Sequence, residues 1–325
     1  MASPFSALQV SEASRPTQAG VTFDLDRALQ SVVTLEARVP HDAYTAGILG
    51  VERAGAGVVI GEEGLVLTIG YLVTEADLVI LTTNDGRSIP AHALGFDSAT
   101  GFGLVHALEP LNLPALPLGD SRTLKPDDAV IVAGGGGRAH ATKARIVARE
   151  PFAGYWEYAL DEALFTAPAH PHWSGAALIG PHGDLLGVGS LQVEQAVGRD
   201  RTRTVNMMVP AELLAAVKDD LLHGRPSAPP RPWLGLSAQE SGSGVVVVGV
   251  ASGGPADRAE VRAGDVIVAV NGGDVEDLGD AWRKIWAGGV AGSRLELTLN
   301  REGDVFDVSV RSVDRAGLMK RRHLH

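Results

Sequence analysis

Ser174 has two histidines within four positions, His170 and His172. A serine hydroxyl becomes a useful nucleophile only when a neighbouring group takes its proton, and an imidazole titrates in the range that this work requires. The cluster therefore allows acyl-transfer chemistry through a covalent intermediate. The competing reading is a polar residue in a surface loop, since histidines of the same loop cannot easily fold back onto their own serine. His170-Pro-His172 also puts both rings on one side of an extended strand, as a metal pair would require, but no Asp, Glu or Cys stands beside them. They read as two solvated loop histidines, and no metal or other cofactor is expected. Four consecutive glycines at 134–137 follow an apolar run, yet no Lys-Ser/Thr pair ends them and no helical pattern follows, which disfavours a phosphate-binding loop.

Composition narrows the chemistry further. The 325 residues carry 28 Lys and Arg against 39 Asp and Glu, a formal charge of −11 that repels a phosphate backbone, so nucleic acid is not an expected partner. The absence of cysteine removes a disulfide framework, a thiolate metal site and a cysteine nucleophile. No apolar run reaches the eighteen or so residues of a membrane helix, so no membrane association is expected. Residues 1–20 are rich in Ser, Pro, Ala and Gln and show neither a basic n-region nor a continuous apolar h-region. The chain as given reads as cytoplasmic, or as periplasmic or secreted if an export signal has been removed.

The elements that must position these residues are short, because 40 Gly and 18 Pro interrupt the chain. Runs at 31–37, 57–60, 65–68, 78–83, 88–94 and 102–108 read as strands, with hairpin turns at Gly61-Glu-Glu-Gly64 and Asn84-Asp-Gly86. A second set follows at 129–133, 141–149, 163–167, 176–179, 185–189 and 205–209, so two six-stranded barrels are expected. Pro210 opens a helical pattern through Leu213, Leu214, Val217, Leu221 and Leu222 that closes at Gly224. The proline-rich segment 225–232 then marks a domain boundary. Beyond it, strands are expected at 245–250, 266–270, 295–300 and 305–310, with a helix over 277–287 and a basic tail at 315–325.

Taken in order, these motifs resemble the HtrA family of trypsin-like serine proteases with a C-terminal PDZ domain. Gly55-Ala-Gly-Val-Val-Ile-Gly61 and Gly64-Leu-Val-Leu-Thr68 match the strands before the family's catalytic His. Asp85-Gly-Arg-Ser-Ile-Pro-Ala91 and Gly95-Phe-Asp-Ser-Ala-Thr100 match the hairpin and turn leading to its Asp. Trp173-Ser-Gly175 with Gly183-Asp-Leu-Leu-Gly187 matches the nucleophile loop, and Gly264-Asp-Val-Ile-Val-Ala-Val-Asn-Gly272 is a strand-turn unit typical of PDZ domains. The resemblance covers residues 22–312. Three departures from the pattern stand out. The family's Thr-Asn-Asn-His is Thr68-Ile-Gly-Tyr71 here, its Asp-Leu-Ala is Gly101-Phe-Gly103, and its Gly-Asn-Ser-Gly-Gly is His172-Trp-Ser-Gly-Ala176.

The resemblance implies a mainly β fold: two six-stranded antiparallel barrels over 22–224 and an α/β PDZ domain over 233–314, with 1–21 as a flexible N-terminal segment. It places Ser174 as a remnant nucleophile, Tyr71 at the base position, Gly101 at the Asp position and His172 at the oxyanion-hole glycine. A side chain at that glycine position is expected to strain the backbone and turn its amide away. The PDZ groove would use the amides around Trp233, Leu234, Gly235 and Leu236 to hold a peptide carboxylate, with Trp282 and Trp286 as the opposite wall. The implied role is a pseudoprotease that binds peptides or protein C-termini, in a family tied to protein quality control. An active endopeptidase using Ser174 and a non-standard base is the alternative. By the same resemblance the chain would form a trimer, with Phe5 and Phe23 as contacts.

Overall fold

The computed structural model describes residues 9–61, 63–197, 201–224 and 228–320. These form two compact units: 9–150 with 162–224, and 151–161 with 228–320.

The first unit contains two closed barrels. One is built from β1 (Val32–Arg38), β2 (Glu52–Val59), β3 (Leu65–Ile69), β4 (Leu78–Thr82), β5 (Ser88–Phe96) and β6 (Phe102–Ala107), in the order β1-β2-β3-β6-β5-β4. The other uses β7 (Ala129–Ala133), β8 (Ala141–Gly154), β9 (Tyr158–Ala167), β10 (Ala177–Ile179), β11 (Leu185–Ala196) and β12 (Thr202–Pro210), in the order β10-β11-β12-β9-β8-β7. Alternation drives both. In β1, Val33, Leu35 and Ala37 turn inward while Thr34, Glu36 and Arg38 face outward. Leu35, Leu67, Leu81 and Leu104 are fully buried, each contributing about 1.5–3 kcal/mol from burial. Gly86, at φ 88°, closes the β4–β5 hairpin in the left-handed conformation that the Asn-Asp-Gly sequence anticipates.

Several expectations are corrected. β8 and β9 run well past 149 and begin well before 163, and their far ends belong to the second unit. β11 and β12 likewise extend beyond 189 and before 205. These extensions lack the apolar alternation of a barrel wall, so periodicity does not show them. A short 3-10 helix, Gly137–His140, does follow the four glycines. Residues 9–21, read as part of a flexible N-terminal segment, carry two 3-10 turns, and the buried Val10 donates its amide to the Ala139 carbonyl at 3.0 Å. Phe5 lies outside the described residues, and Phe23 packs against Gly183.

Helix Leu214–His223 ends on Gly224, at φ 63°. In the second unit β13 (Leu236–Ser241), β14 (Gly244–Val250), β15 (Val266–Val270), β17 (Arg294–Arg301) and β18 (Asp304–Arg311) form one antiparallel sheet in that order, with β16 (Gly273–Asp274) paired to β15. Asn271 and Gly272, at φ 50° and 77°, make the β15–β16 turn. Helix Leu278–Ala287 buries Leu278, Ala281, Trp282 and Ile285 against Leu236, Val247 and Leu297 of this sheet. β13 is an edge strand of this sheet, and its outer side is the surface on which a further strand can be added. The linker expected over 225–232 is described only from 228. Of the basic tail, 315–318 form a 3-10 turn, and 321–325 lie outside the described residues.

Candidate functional site

Two loops bring Ser174 and Tyr71 together. Tyr71 lies on the helical turn Gly70–Val73, which follows β3 directly. Gly70 fits closely there, since a Cβ would sit 3.1 Å from the carbonyl oxygens of Gly101 and Phe102, and its own amide donates to the Gly101 carbonyl at 2.6 Å. Ser174 is pinned from the other side: its carbonyl accepts the Ala56 amide at 2.8 Å, and the next residue, Gly175, at φ 74°, lies so close to β2 that a Cβ would overlap the Ala56 carbonyl oxygen. The result is a Tyr71 Oη to Ser174 Oγ distance of 2.7 Å.

Tyr71 Oη also donates to the Ser190 carbonyl at 2.7 Å. A phenol has one proton, and a carbonyl can only accept, so Ser174 must donate toward the Tyr71 lone pair. Burial pushes the Tyr71 hydroxyl up to about 12, against the opposing pull of hydrogen bonds with Ser174 and Trp173. The hydroxyls border a cleft of about 330 Å³ lined by Leu49, Arg53, Tyr71, Leu72, His172 and Trp173. Gly101, the expected carboxylate position, touches the turn carrying Tyr71 only through its backbone.

The two histidines are not solvated. His170 is fully buried and His172 is 7% exposed. His170 Nδ1 accepts the His172 amide at 3.0 Å, which fixes Nε2 as the protonated nitrogen, donating to the His140 carbonyl at 3.0 Å. The His170 amide in turn donates to Asn206 Oδ1 at 2.6 Å. Burial lowers the imidazole to about 4, so it is neutral at pH 7 with both nitrogens engaged. His170 is therefore neither a base for Ser174 nor a metal ligand. Among the described residues no group of three or more His, Asp and Glu is arranged to hold a metal. His172 is not in a left-handed conformation, contrary to the strain expected of it. Its amide donates to His170 Nδ1.

Arg53 was not anticipated from the sequence. It is 5% exposed, and its guanidinium donates to the carbonyls of Gly50, Tyr71 and Thr74 and to Thr45 Oγ1, which locks the turn that carries Tyr71. Glu75 completes this network by accepting the Tyr44 and Thr45 amides and the Thr45 hydroxyl. An arginine at the start of a strand carries no sequence signal for such a role.

In the second unit the amides expected to hold a carboxylate do hold one. It belongs to Glu157. Oε1 accepts from Leu234 at 3.0 Å, Gly235 at 2.7 Å and Leu236 at 3.1 Å, and Oε2 accepts from Leu234 at 3.1 Å. Gly235, at φ 79°, supplies the left-handed turn that lets successive amides converge. Next to Glu157, Trp156 bridges to Ser237 in antiparallel fashion, and the Tyr155 carbonyl accepts the Ala238 amide at 2.7 Å. Trp282 is a fully buried core residue rather than an open wall, and its Nε1 donates to the Gly154 carbonyl at 3.0 Å. Trp286 is half-buried beneath the Arg231 guanidinium, 4.7 Å from the ring centre. Trp233 pairs with Val313. Glu157 was missed; the available signal was four aromatic residues, Phe152, Tyr155, Trp156 and Tyr158, within seven positions of a chain that is only 5% aromatic.

Comparison with known proteins agrees with this architecture. Residues 55–188 match the trypsin-like peptidase domain family, and 232–311 match the PDZ domain family. The serine endoprotease DegS of Salmonella typhimurium is 26% identical over 269 residues, 78% of this chain and 75% of that protein. The putative serine protease HhoA of Synechocystis is 28% identical over 250 residues, covering 69% and 61%. A probable periplasmic serine endoprotease, DegP-like, of Halomonas elongata is 26% identical over 276 residues, covering 79% and 55%. The chain thus spans between about half and three quarters of the length of these relatives. Among solved structures, the HtrA-type protease AlgW with decapeptide superposes with a TM-score of 0.54 at 22% identity, covering 90% of this chain and 97% of that one. The serine endoprotease from Yersinia pestis gives 0.54 at 22%, covering 90% and 99%. At that identity the likeness is one of fold. The chain carries a trypsin-like peptidase domain followed by a PDZ domain, and its relatives are serine proteases of the HtrA, DegP and DegS kind.

Proposed function

We propose that this protein is a non-catalytic member of that group, a pseudoprotease that binds peptides or protein C-termini through its PDZ domain. The observation that carries the reading is the direction of the hydrogen bonds at Tyr71, whose single proton goes to Ser190 while Ser174 donates to the phenol oxygen. To act as a base Tyr71 must first ionise, and a hydroxyl held near 12 does so in about one molecule in 10⁴–10⁵ at pH 7 to 8. Loss of the base of a serine-histidine pair lowers turnover by roughly 10⁶. The captured His172 amide weakens oxyanion stabilisation as well. No helix among the described residues is long and apolar enough to cross a membrane. Of the two locations read from the sequence, the periplasmic or secreted one agrees with the names of the DegP-like relatives.

The test is labelling by a fluorophosphonate probe together with casein cleavage at pH 7 to 8, comparing the protein with Ser174→Ala. The expected result is no label at Ser174, no cleavage and no difference between the two. Proteolysis that depends on Ser174 would overturn the proposal in favour of an endopeptidase with a non-standard base.

A further inference from the structure

The PDZ groove needs two things from a ligand: an extended backbone to pair with the free edge of β13, and a carboxylate for the convergent amides of 234–236. The chain supplies both. Residues 155 and 156 lie antiparallel to β13 beside Ser237 and Ala238, and Glu157 brings its carboxylate to the three amides. Several features distinguish this from ordinary loop packing. Glu157 is 8% exposed, and its hydrogen bonds go to backbone amides of this one loop. The strand addition is brief, and Tyr155 remains 56% exposed, so the carboxylate anchor is a principal hold on the contact, beside the Trp282–Gly154 hydrogen bond. A buried carboxylate is costly unless donors compensate it, and here the donors are those a free C-terminus would use.

We propose that residues 154–157 are a built-in competitor for the PDZ groove, which a peptide ending in a free carboxylate must displace in order to bind. The proposal rests on the peptide-reading role proposed above. The apparent affinity for an incoming peptide is then reduced by the fraction of molecules whose groove is self-occupied.

The test uses the full chain, Glu157→Ala and Glu157→Gln, the latter keeping an acceptor oxygen and the side-chain shape. The probe is a fluorescein-labelled peptide, Phe-Ala-Gly-Tyr-Trp-Val, with a free C-terminus, and its amidated form is the control. Fluorescence anisotropy gives the affinity, and hydrogen exchange of the Leu234, Gly235 and Leu236 amides without peptide reports occupancy. Glu157→Ala is expected to bind the free-acid peptide at least about tenfold more tightly than the natural chain and to exchange the three amides faster. Glu157→Gln replaces Oε2, which accepts from Leu234, with a nitrogen that cannot accept, so it should fall between, which keeps the test decisive if the alanine variant folds poorly. Equal binding by the natural chain and both variants, with exchange unchanged, overturns the competitor while leaving peptide reading intact. Failure of all three proteins to bind the free-acid peptide overturns peptide reading and the competitor with it.

Discussion

Restoring an imidazole at Tyr71 and a carboxylate at Gly101 would meet two local obstacles. Gly101 has a φ of 83°, a conformation in which a residue with a Cβ costs about 1–3 kcal/mol. The second obstacle is the His172 amide, which is already engaged by His170 Nδ1. A glycine at 172 lets that peptide plane turn back at little cost, and an oxyanion outcompetes a neutral imidazole for the donor. Tyr71→His with Gly101→Asp should therefore be a poor protease, and adding His172→Gly should raise turnover on one peptide substrate by roughly 10²–10³. Equal turnover of the double and triple variants would show that the amide already turns freely. The motif order put Tyr71 and Ser174 in one site, and the structure has them 2.7 Å apart. The burial of His170 was not legible, because its partners, Asn206 and His140, lie 36 and 30 residues away and no local spacing encodes them.

Strands such as β1, β4 and β5 were legible almost to their ends, whereas β2 begins at Glu52, five residues before the start expected at 57. The far ends of β8 and β9 were not legible, since Glu150 and Pro151 on one side and Asp161 and Glu162 on the other read as loop. These ends carry a pH dependence. Desolvation raises the Glu157 carboxyl to about 7, opposed by the amides of 234–236 and by the positive charge of Arg315. Oε1 alone takes all three amide donors, so a proton on Oε2 leaves the anchor in place. A group whose pKa is higher docked than free favours docking fully below its free value, 4.5, and loses that advantage as pH rises through about 7. A peptide's terminal carboxylate does not titrate in this window. The natural chain should therefore bind the free-acid probe more tightly at pH 8 than at pH 5, by roughly tenfold or more, while Glu157→Gln gives a flat profile. Anisotropy titrations at the two pH values decide it.

At the scale of the whole chain, the order of motifs made both units legible, and the proline-rich stretch before Trp233 made the boundary look like a single cut. The compact unit beyond that cut is nevertheless assembled from two pieces of chain, 151–161 and 228–320. A fragment made by cutting at the linker lacks its first piece. It loses the carbonyl that satisfies the Trp282 indole and the carboxylate that satisfies three amides, and buried donors without partners cost about 1–3 kcal/mol each. Supplying residues 151–161 in trans as a synthetic undecapeptide should reconstitute the module and raise its melting temperature, by about 3 kcal/mol of added stability at a hundredfold excess over the dissociation constant. The same undecapeptide with Glu157→Ala should give little or no shift. Affinities measured on the excised fragment alone would then describe a receptor with a vacancy that the intact chain does not have.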